Sequence, residues 1–218
     1  MLVIRHVRVG AIAENTYLVG CSETGEAVIV DPGGETARVA ALREPGGFRV
    51  TRIMLTHGHF DHALGAADAK ELFGAPISIH PGDRELYQAL QEQVAMFGFD
   101  DPGPAPQIDH FLEDGETFQV GKQQGRVLHT PGHTQGSCCF FFAEAKVLIT
   151  GDTLFAGSIG RTDLPGGDLA QIVMSLRERV LKVGDDVQFY PGHGPGGLVG
   201  DERTVNPYVG VRGRISVI

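Results

Sequence analysis

Short apolar runs alternate with glycine, proline and polar residues along most of the chain. Runs rich in β-branched and aromatic residues and bounded by Gly, Pro or Asp are typical of β-strands. The strands predicted in this way are LVIRHVRV at 2–9, NTYLV at 15–19, AVIVD at 27–31, VTRIMLT at 50–56, PISIH at 76–80, GRVLHT at 125–130, CCFFFA at 138–143, KVLITGD at 146–152 and DVQFYPG at 186–192.

Three other segments show the 3.6-residue spacing of a helix with one apolar face. The first covers 168–184, with Asp168 as the N-cap and Gly184 closing the segment. The second covers 83–97, and the third runs from about Asp61 to Phe73, where Gly74 follows. The Pro- and Gly-rich stretch at 98–107 is predicted to be a loop. Strands mixed with helices, and no clear linker, predict one α/β domain over residues 1–218.

Composition narrows the class of protein. The 218 residues are 42% hydrophobic and 21% charged, which is typical of a folded globular chain. A formal net charge of −9 disfavours nucleic acid as a partner. No apolar segment reaches the roughly 18 residues of a membrane span, and Arg5 and Arg8 make the N-terminus a poor signal peptide. Three cysteines with no disulfide or CxxC pattern indicate a reducing, cytoplasmic setting.

Histidines and aspartates follow four of the predicted strands, where layered α/β folds place their sites. These candidate ligands are His57, His59, Asp61 and His62 after RIMLT, His133 after GRVL, Asp152 after KVLI and His193 after VQF. Three histidines and an acid within six positions would repel one another as charged groups, or need many partners if buried. We therefore expect the four segments to bring metal ligands to one edge of the fold.

Seven candidate ligands exceed what one tetrahedral ion needs, so two divalent ions are predicted. Imidazole and carboxylate suit zinc, iron or manganese, and zinc is the preferred choice. His57, His59 and His133 are assigned to one ion. Asp61, His62 and His193 are assigned to the other, and Asp152 is expected to bridge the two.

Two such ions would activate water for attack on a carbonyl carbon. The pKa of a water molecule falls from about 15.7 to about 7 on zinc, and ions about 3.5–4 Å apart can hold a bridging hydroxide. Asp61 and Asp152 are predicted to act in catalysis through that hydroxide, with no separate general base. This chemistry suits hydrolysis of an ester or thioester.

The remaining histidines, His6, His80, His110 and His129, are interpreted as surface or core residues, although His129 could instead support a ligand. Asp31, in VDPGG, is expected to fix a turn or to support the metal loop.

The motifs THGHFDH, HTPGHT, TGDTLF and PGHGP resemble those of the metallo-β-lactamase superfamily. The resemblance covers nearly the whole chain and implies a four-layer αβ/βα sandwich with metal ligands at the seven positions above. β-Lactamases of this fold generally lack the bridging aspartate, so Asp152 is similar to the hydroxyacylglutathione hydrolase, or glyoxalase II, branch.

The segments GDTLFAGSIGRTDLPGGD and ERTVNPY look like those of the short bacterial type II glyoxalases. This resemblance implies a metal-dependent thioester hydrolase acting on a small S-acylglutathione such as S-lactoylglutathione. The longer enzymes hold glutathione largely through an added C-terminal domain, and only a short tail follows His193 here. Arg161 is either a residue that binds a substrate carboxylate through its guanidinium fork or a structural arginine near a turn.

Other functions remain open at this point. A persulfide dioxygenase with a single iron also carries a GRTD segment, and a lactonase or another ester hydrolase of the same fold would use the same ligands. A phosphodiesterase and a metal-storage site are disfavoured. The expected partner is a small thioester, with neither nucleic acid nor membrane involved, and the oligomeric state is not predicted.

Overall fold

The computed structural model describes residues 1–213, and within that range the main strands form two six-stranded sheets. The first sheet consists, in spatial order, of β1 (Leu2–Val9), β2 (Glu14–Cys21), β3 (Glu26–Val30), β4 (Arg49–Met54), β5 (Ile77–Ile79) and β6 (His110–Phe111). The second consists of β14 (Gly197–Leu198), β13 (Gln188–Pro191), β10 (Val147–Gly151), β9 (Cys138–Phe142), β8 (Gln123–His129) and β7 (Thr117–Val120). A small hairpin pairs β11 (Leu154–Phe155) with β12 (Ser158–Ile159).

Both sheets mix parallel and antiparallel pairs. In the first, β1 to β3 are antiparallel, whereas β3 to β6 run parallel. In the second, β7 to β10 are antiparallel and β10 runs parallel to β13. Parallel neighbours end at the same edge of a sheet, so the loops that follow them lie side by side.

Seven short helices connect the strands within the described residues. They are α1 (Thr36–Ala41), α2 (Phe60–Ala63), α3 (Ala66–Phe73), α4 (Arg84–Gln88), α5 (Leu90–Met96), α6 (Leu169–Glu178) and α7 (Val199–Val205). None is long and apolar enough to cross a membrane.

Alternating side chains place each sheet between a helical layer and the other sheet. In β3, Ile29 packs with the helices of the first half, whereas Val28 packs in a cluster that also contains residues of the second sheet. In β10, Ile149 joins that same inter-sheet cluster and Leu148 packs against α6 and α7. The expected four-layer αβ/βα sandwich is therefore observed, with its main core between the sheets.

Two of the predicted helices are each split in two. The prediction of one continuous helix over about 61–73 is wrong, because the helix is interrupted between α2 and α3. There the backbone N–H of Gly65 donates to Pro32 O, in the loop after β3, at 2.7 Å. The helix expected over 83–97 is split at Ala89. Near this interruption the side-chain amide of Gln93 donates to Leu86 O at 2.7 Å.

The helix expected over 168–184 begins as predicted but ends early. Asp168 caps it by accepting a hydrogen bond from the backbone N–H of Gln171 at 2.9 Å. The α-helix ends at Glu178, and a separate 3₁₀ turn at Val180–Lys182 buries the last apolar residues of the stripe.

Candidate metal centre

All seven predicted ligands lie at one edge of the sandwich, where strands of both sheets end. Four come from the segment after β4, namely His57 and His59 in the loop and Asp61 and His62 in α2. The other three follow β8, β10 and β13, and are His133, Asp152 and His193. The strand-end placement inferred from the sequence is the placement observed.

Three histidine side chains form a first group. His59 Nδ1 lies 2.9 Å from His133 Nε2, which lies 3.3 Å from His57 Nε2. All three rings are buried. Ring nitrogens gathered this closely away from water need a proton or a metal ion between them. The three nitrogens are close enough to bind one ion, and three imidazoles are a common ligand set for zinc.

A second group contains two imidazoles and a carboxylate. Asp61 Oδ2 lies 3.0 Å from His193 Nε2 and 3.5 Å from His62 Nε2. His62 Nε2 is fully buried and has no hydrogen-bond partner among the described residues. Such an orphaned atom is costly unless something else binds it, which fits a metal ligand.

The carboxylate of Asp152 reaches both groups. Its Oδ1 lies 3.4 Å from His62 Nε2, and its Oδ2 lies 3.6 Å from His133 Nε2. Oδ1 is itself buried without a hydrogen-bond partner within residues 1–213. Oδ2 also lies 3.7 Å from His193 Nε2 of the second group. The carboxylate as a whole therefore lies between the two groups, which is the position expected of a bridging ligand.

Hydrogen bonds behind the imidazoles orient their free nitrogens toward the centre. His133 Nδ1 donates to Arg161 O at 2.8 Å, and His62 Nδ1 lies 3.0 Å from Asp31 Oδ2. A carbonyl and a carboxylate can only accept, so each Nδ1 carries a proton and each Nε2 is the nitrogen that faces the centre. Such bonds fix the ring orientation before any metal binds.

Asp31 supports the first loop rather than acting as a ligand. Its Oδ1 accepts from the backbone N–H of Thr56 at 2.7 Å, and its Oδ2 accepts from the Thr56 hydroxyl at 2.6 Å. Asp31, His57 and His62 lie close enough to form a third potential group. Because both Asp31 oxygens already accept hydrogen bonds, we assign it the supporting position expected from VDPGG.

Two buried polar residues that the sequence did not reveal join the ligand loops. Asp83 accepts from Gly58 N at 2.8 Å, from the Thr134 hydroxyl at 2.7 Å and from Gly136 N at 2.6 Å. It therefore ties the loop of His57 to that of His133. Gln93 accepts from Phe60 N at 2.9 Å and donates to Gly58 O at 3.0 Å.

The charge states of the ligands suit divalent cations. Burial, with His133 as the next contribution, lowers the pKa of His59 to about 3, and burial likewise lowers the pKa of His57. Burial acts to raise the pKa of Asp152, but His62 and the other imidazoles outweigh it and hold that pKa well below its ordinary value. At neutral pH these groups are neutral imidazoles and an ionised carboxylate, the forms that bind metal.

In the metal-free protein the pKa of His62 is shifted in the opposite direction from that of His57. Burial alone would lower the pKa of His62, but the carboxylates of Asp61, Asp152 and Asp31 raise it well above its ordinary value. A proton on His62 thus offsets part of the negative charge that a cation would otherwise neutralise.

A cavity of about 690 Å³ opens beside the centre, bordered by ligands of both groups, including His59, His133 and His193. Arg161 also lines it, but its guanidinium is held bidentately by Asp163, at 2.7 and 2.8 Å. A substrate-binding role for Arg161 stays a prediction.

The four histidines set aside in the sequence lie outside both ligand groups. His80 stacks on His129 with ring centroids 3.9 Å apart, and His110 lies 2.8 Å from Glu116. His6 packs near the ring of Tyr17.

Comparison with known proteins gives a consistent set of relatives. The sequence profile of the metallo-beta-lactamase superfamily matches residues 9–193. The hydroxyacylglutathione hydrolase GloC of Haemophilus influenzae is 37% identical over 213 residues, which cover 94% of this chain and 97% of that protein. The crystal structure of the B3 metallo-beta-lactamase BLEG-1 superposes with a TM-score of 0.87 at 32% identity, covering 95% of this chain and 99% of that one. The crystal structure of TTHA1623 in a di-iron-bound form superposes with a TM-score of 0.84 at 37% identity, covering 94% of this chain and 99% of that one.

Proposed function

The chain belongs to the metallo-beta-lactamase superfamily, and on that premise we propose that it is a metal-dependent thioester hydrolase acting on S-acylglutathione. The observation that carries the proposal is the position of Asp152. Its carboxylate lies between the two ligand groups, 3.6 Å from His133 of the first and 3.4 Å from His62 of the second. The name of the similar Haemophilus influenzae protein, a hydroxyacylglutathione hydrolase, supports the choice of substrate.

The seven ligands fit two divalent ions. His57, His59 and His133 would hold one, Asp61, His62 and His193 the other, and Asp152 would contact both. Ions held there would lower the pKa of a water molecule and polarise a carbonyl oxygen. Zinc remains the preference from the ligand chemistry, and the di-iron-bound form of TTHA1623 supports iron as the alternative.

The residues of the chain prepare the site for hydrolysis in three ways. Asp61 and Asp152 would contribute two negative charges against the four positive charges of two divalent ions, so the loaded centre would attract a developing oxyanion. Hydrogen bonds from His133 to Arg161 O and from His62 to Asp31 hold the imidazoles in place. The adjacent cavity, of about 690 Å³, would hold the thioester beside them.

Thiol release from S-lactoylglutathione tests the proposal, with protein loaded separately with zinc, iron or manganese. We expect turnover that is abolished in Asp152→Asn and retained in Asp186→Asn, a matched change at an exposed aspartate. No turnover above background with any of the three metals would contradict the proposal.

A lactam substrate is a second candidate, because BLEG-1 is named a B3 metallo-beta-lactamase and is 32% identical to this chain. A chromogenic cephalosporin assayed beside the thioester distinguishes the two. Oxygen uptake with glutathione persulfide tests the dioxygenase alternative, which would require one iron per chain.

A further inference from the structure

The cavity beside the metal centre is lined mainly by apolar side chains. They come from separate segments of the chain, since Ile12 lies in the β1–β2 loop, Met96 ends α5, and Phe97 and Phe99 follow it. Phe155 of β11 and Leu164 complete the wall near His193 and Arg161. A volume of about 690 Å³ is in the range of small-molecule sites.

These side chains are exposed to a degree that is unusual for a cluster of large apolar groups. Met96 is 75% exposed, Phe97 49% and Ile12 48%. Isolated apolar residues on a surface need no explanation, but a contiguous group rimming a cavity marks a binding site. The surface would be removed from water when an apolar ligand fills the cavity.

The charges of the lining disfavour a strongly polar occupant. Among the described residues, Arg161 is the one Lys or Arg side chain in the wall, and Asp163 already holds its guanidinium. Apart from the metal ligands, Glu92 is the acidic residue in the wall. A carboxylate or an ammonium placed among the phenylalanines would lose its hydration without gaining an ion pair.

We propose that this apolar cavity binds the acyl group of the thioester, and that this group is an aliphatic chain or an aryl ring rather than a short hydroxyacyl group. The inference rests on the proposed function and narrows it, because the carbonyl would lie at the ligand groups and the apolar part between Ile12 and the Met96–Phe99 segment. Each methylene buried there should strengthen binding by about threefold to fourfold.

Binding of non-hydrolysable thioethers tests the cavity without turnover. S-hexylglutathione and S-methylglutathione differ only in the length of the alkyl group, and calorimetry gives the affinity of each for the protein as purified. We expect the hexyl compound to bind at least tenfold more tightly, with a negative heat-capacity change. Equal affinities would overturn the inference.

Variants locate the binding surface. Met96→Gln and Phe99→Ala should each reduce the hexyl-over-methyl preference by threefold or more, because both change exposed parts of the wall. The matched controls Met174→Gln and Phe111→Ala, at similarly exposed positions outside the cavity, should leave the preference unchanged. A preference that survives in both wall variants would contradict the assignment.

Kinetics separate this inference from the proposed function. With S-acetyl-, S-butanoyl-, S-hexanoyl- and S-lactoylglutathione, we expect kcat/KM to rise with chain length and to be lowest for the acetyl and lactoyl substrates. Turnover that is independent of chain length, or highest for lactoyl, would overturn the apolar acyl preference and leave the thioesterase intact. Absence of turnover with all four would overturn both.

Discussion

At the scale of single residues, buried side chains behind the candidate metal ligands hold the ligand loops in place. The candidates His57, His59 and Asp61 are neighbours in the sequence and can be recognised there, whereas these supporting residues cannot. Asp83 accepts hydrogen bonds from two separate ligand loops, at Gly58 and at Gly136. In the sequence it stands in HPGDR, where an aspartate is indistinguishable from an ordinary helix cap.

Replacement of Asp31 by Asn should weaken metal binding by about 10- to 100-fold, the usual effect of removing a partner behind a ligand. An amide retains one acceptor oxygen, so it cannot replace both Oδ1, which accepts from the backbone N–H of Thr56, and Oδ2, which accepts from His62. Competition with a fluorescent zinc chelator measures the change. Asp101→Asn, at an exposed aspartate, is the control, and unchanged affinity in Asp31→Asn would remove Asp31 from the site.

Replacement of Asp83 by Asn should lower kcat/KM by about tenfold or more while the protein stays folded. The substituted amide would place an N–H₂ or a single oxygen opposite three donors, from Gly58, Thr134 and Gly136. Titration with zinc should show the same number of bound ions at reduced affinity. Wild-type kinetics together with wild-type affinity would show that the two loops hold their relative position without Asp83.

At the scale of elements, periodicity located the helices but missed their interruptions. The apolar stripe over 168–184 and the cap at Asp168 are local properties, and the cap is observed. The break at Gly65 depends on a loop more than thirty residues earlier in the chain, and a Cβ there would lie 2.7 Å from Pro32 O and 2.9 Å from Gly34 N. The local sequence pattern does not predict a contact with a loop so distant in the chain.

The substitution Gly65→Ala should therefore destabilise the protein by about 1–3 kcal/mol, as overpacking usually does. Intrinsic helix propensity alone would give the opposite sign, since Ala is favoured over Gly by about 1 kcal/mol within a helix. Urea unfolding monitored by circular dichroism measures the difference. Ala67→Gly, at an exposed position of α3, isolates the propensity effect. A gain in stability in Gly65→Ala would indicate one continuous helix.

At the scale of the whole molecule, the sandwich brings together ligands that lie far apart in the chain. Asp61 and His193 are separated by 132 positions and approach to 3.0 Å. The first sheet supplies the THGHFDH loop and the second supplies the other three segments, so neither half holds the complete site. Family resemblance and strand-end placement predicted this assembly, whereas the apolar character of the cavity depends on side chains scattered through loops.

The stability of the metal-free protein should fall as pH decreases below about 6.5. Burial, and then the neighbouring His129, lower the pKa of His80 to about 4, although Asp114 acts in the opposite direction. The unfolded chain therefore binds more protons than the folded one between pH 6.5 and 4, and acid favours unfolding. The lowered pKa of His57 and of His59 acts in the same direction. Burial raises the pKa of Glu14 and of Asp83, which opposes the loss of stability, but the three histidines outnumber these two acids.

Urea unfolding in the presence of a chelator, repeated between pH 7.5 and 4.5, measures this dependence. In His80→Asn the slope should be shallower, and the Asn oxygen can still accept from Gly82 N, as His80 Nδ1 does at 3.1 Å. Stability that is flat or rises toward acid pH would contradict the charge states assigned to the buried histidines.

The central claim is that two cations share the Asp152 carboxylate, and the metal content of the purified protein tests it most directly. Elemental analysis of protein reconstituted and then freed of excess metal should give about two divalent ions per chain, with thioesterase activity following occupancy in the same sample. Asp152→Ala should retain no more than one tightly bound ion. A wild-type chain that holds one ion or none at full activity would contradict a dinuclear centre.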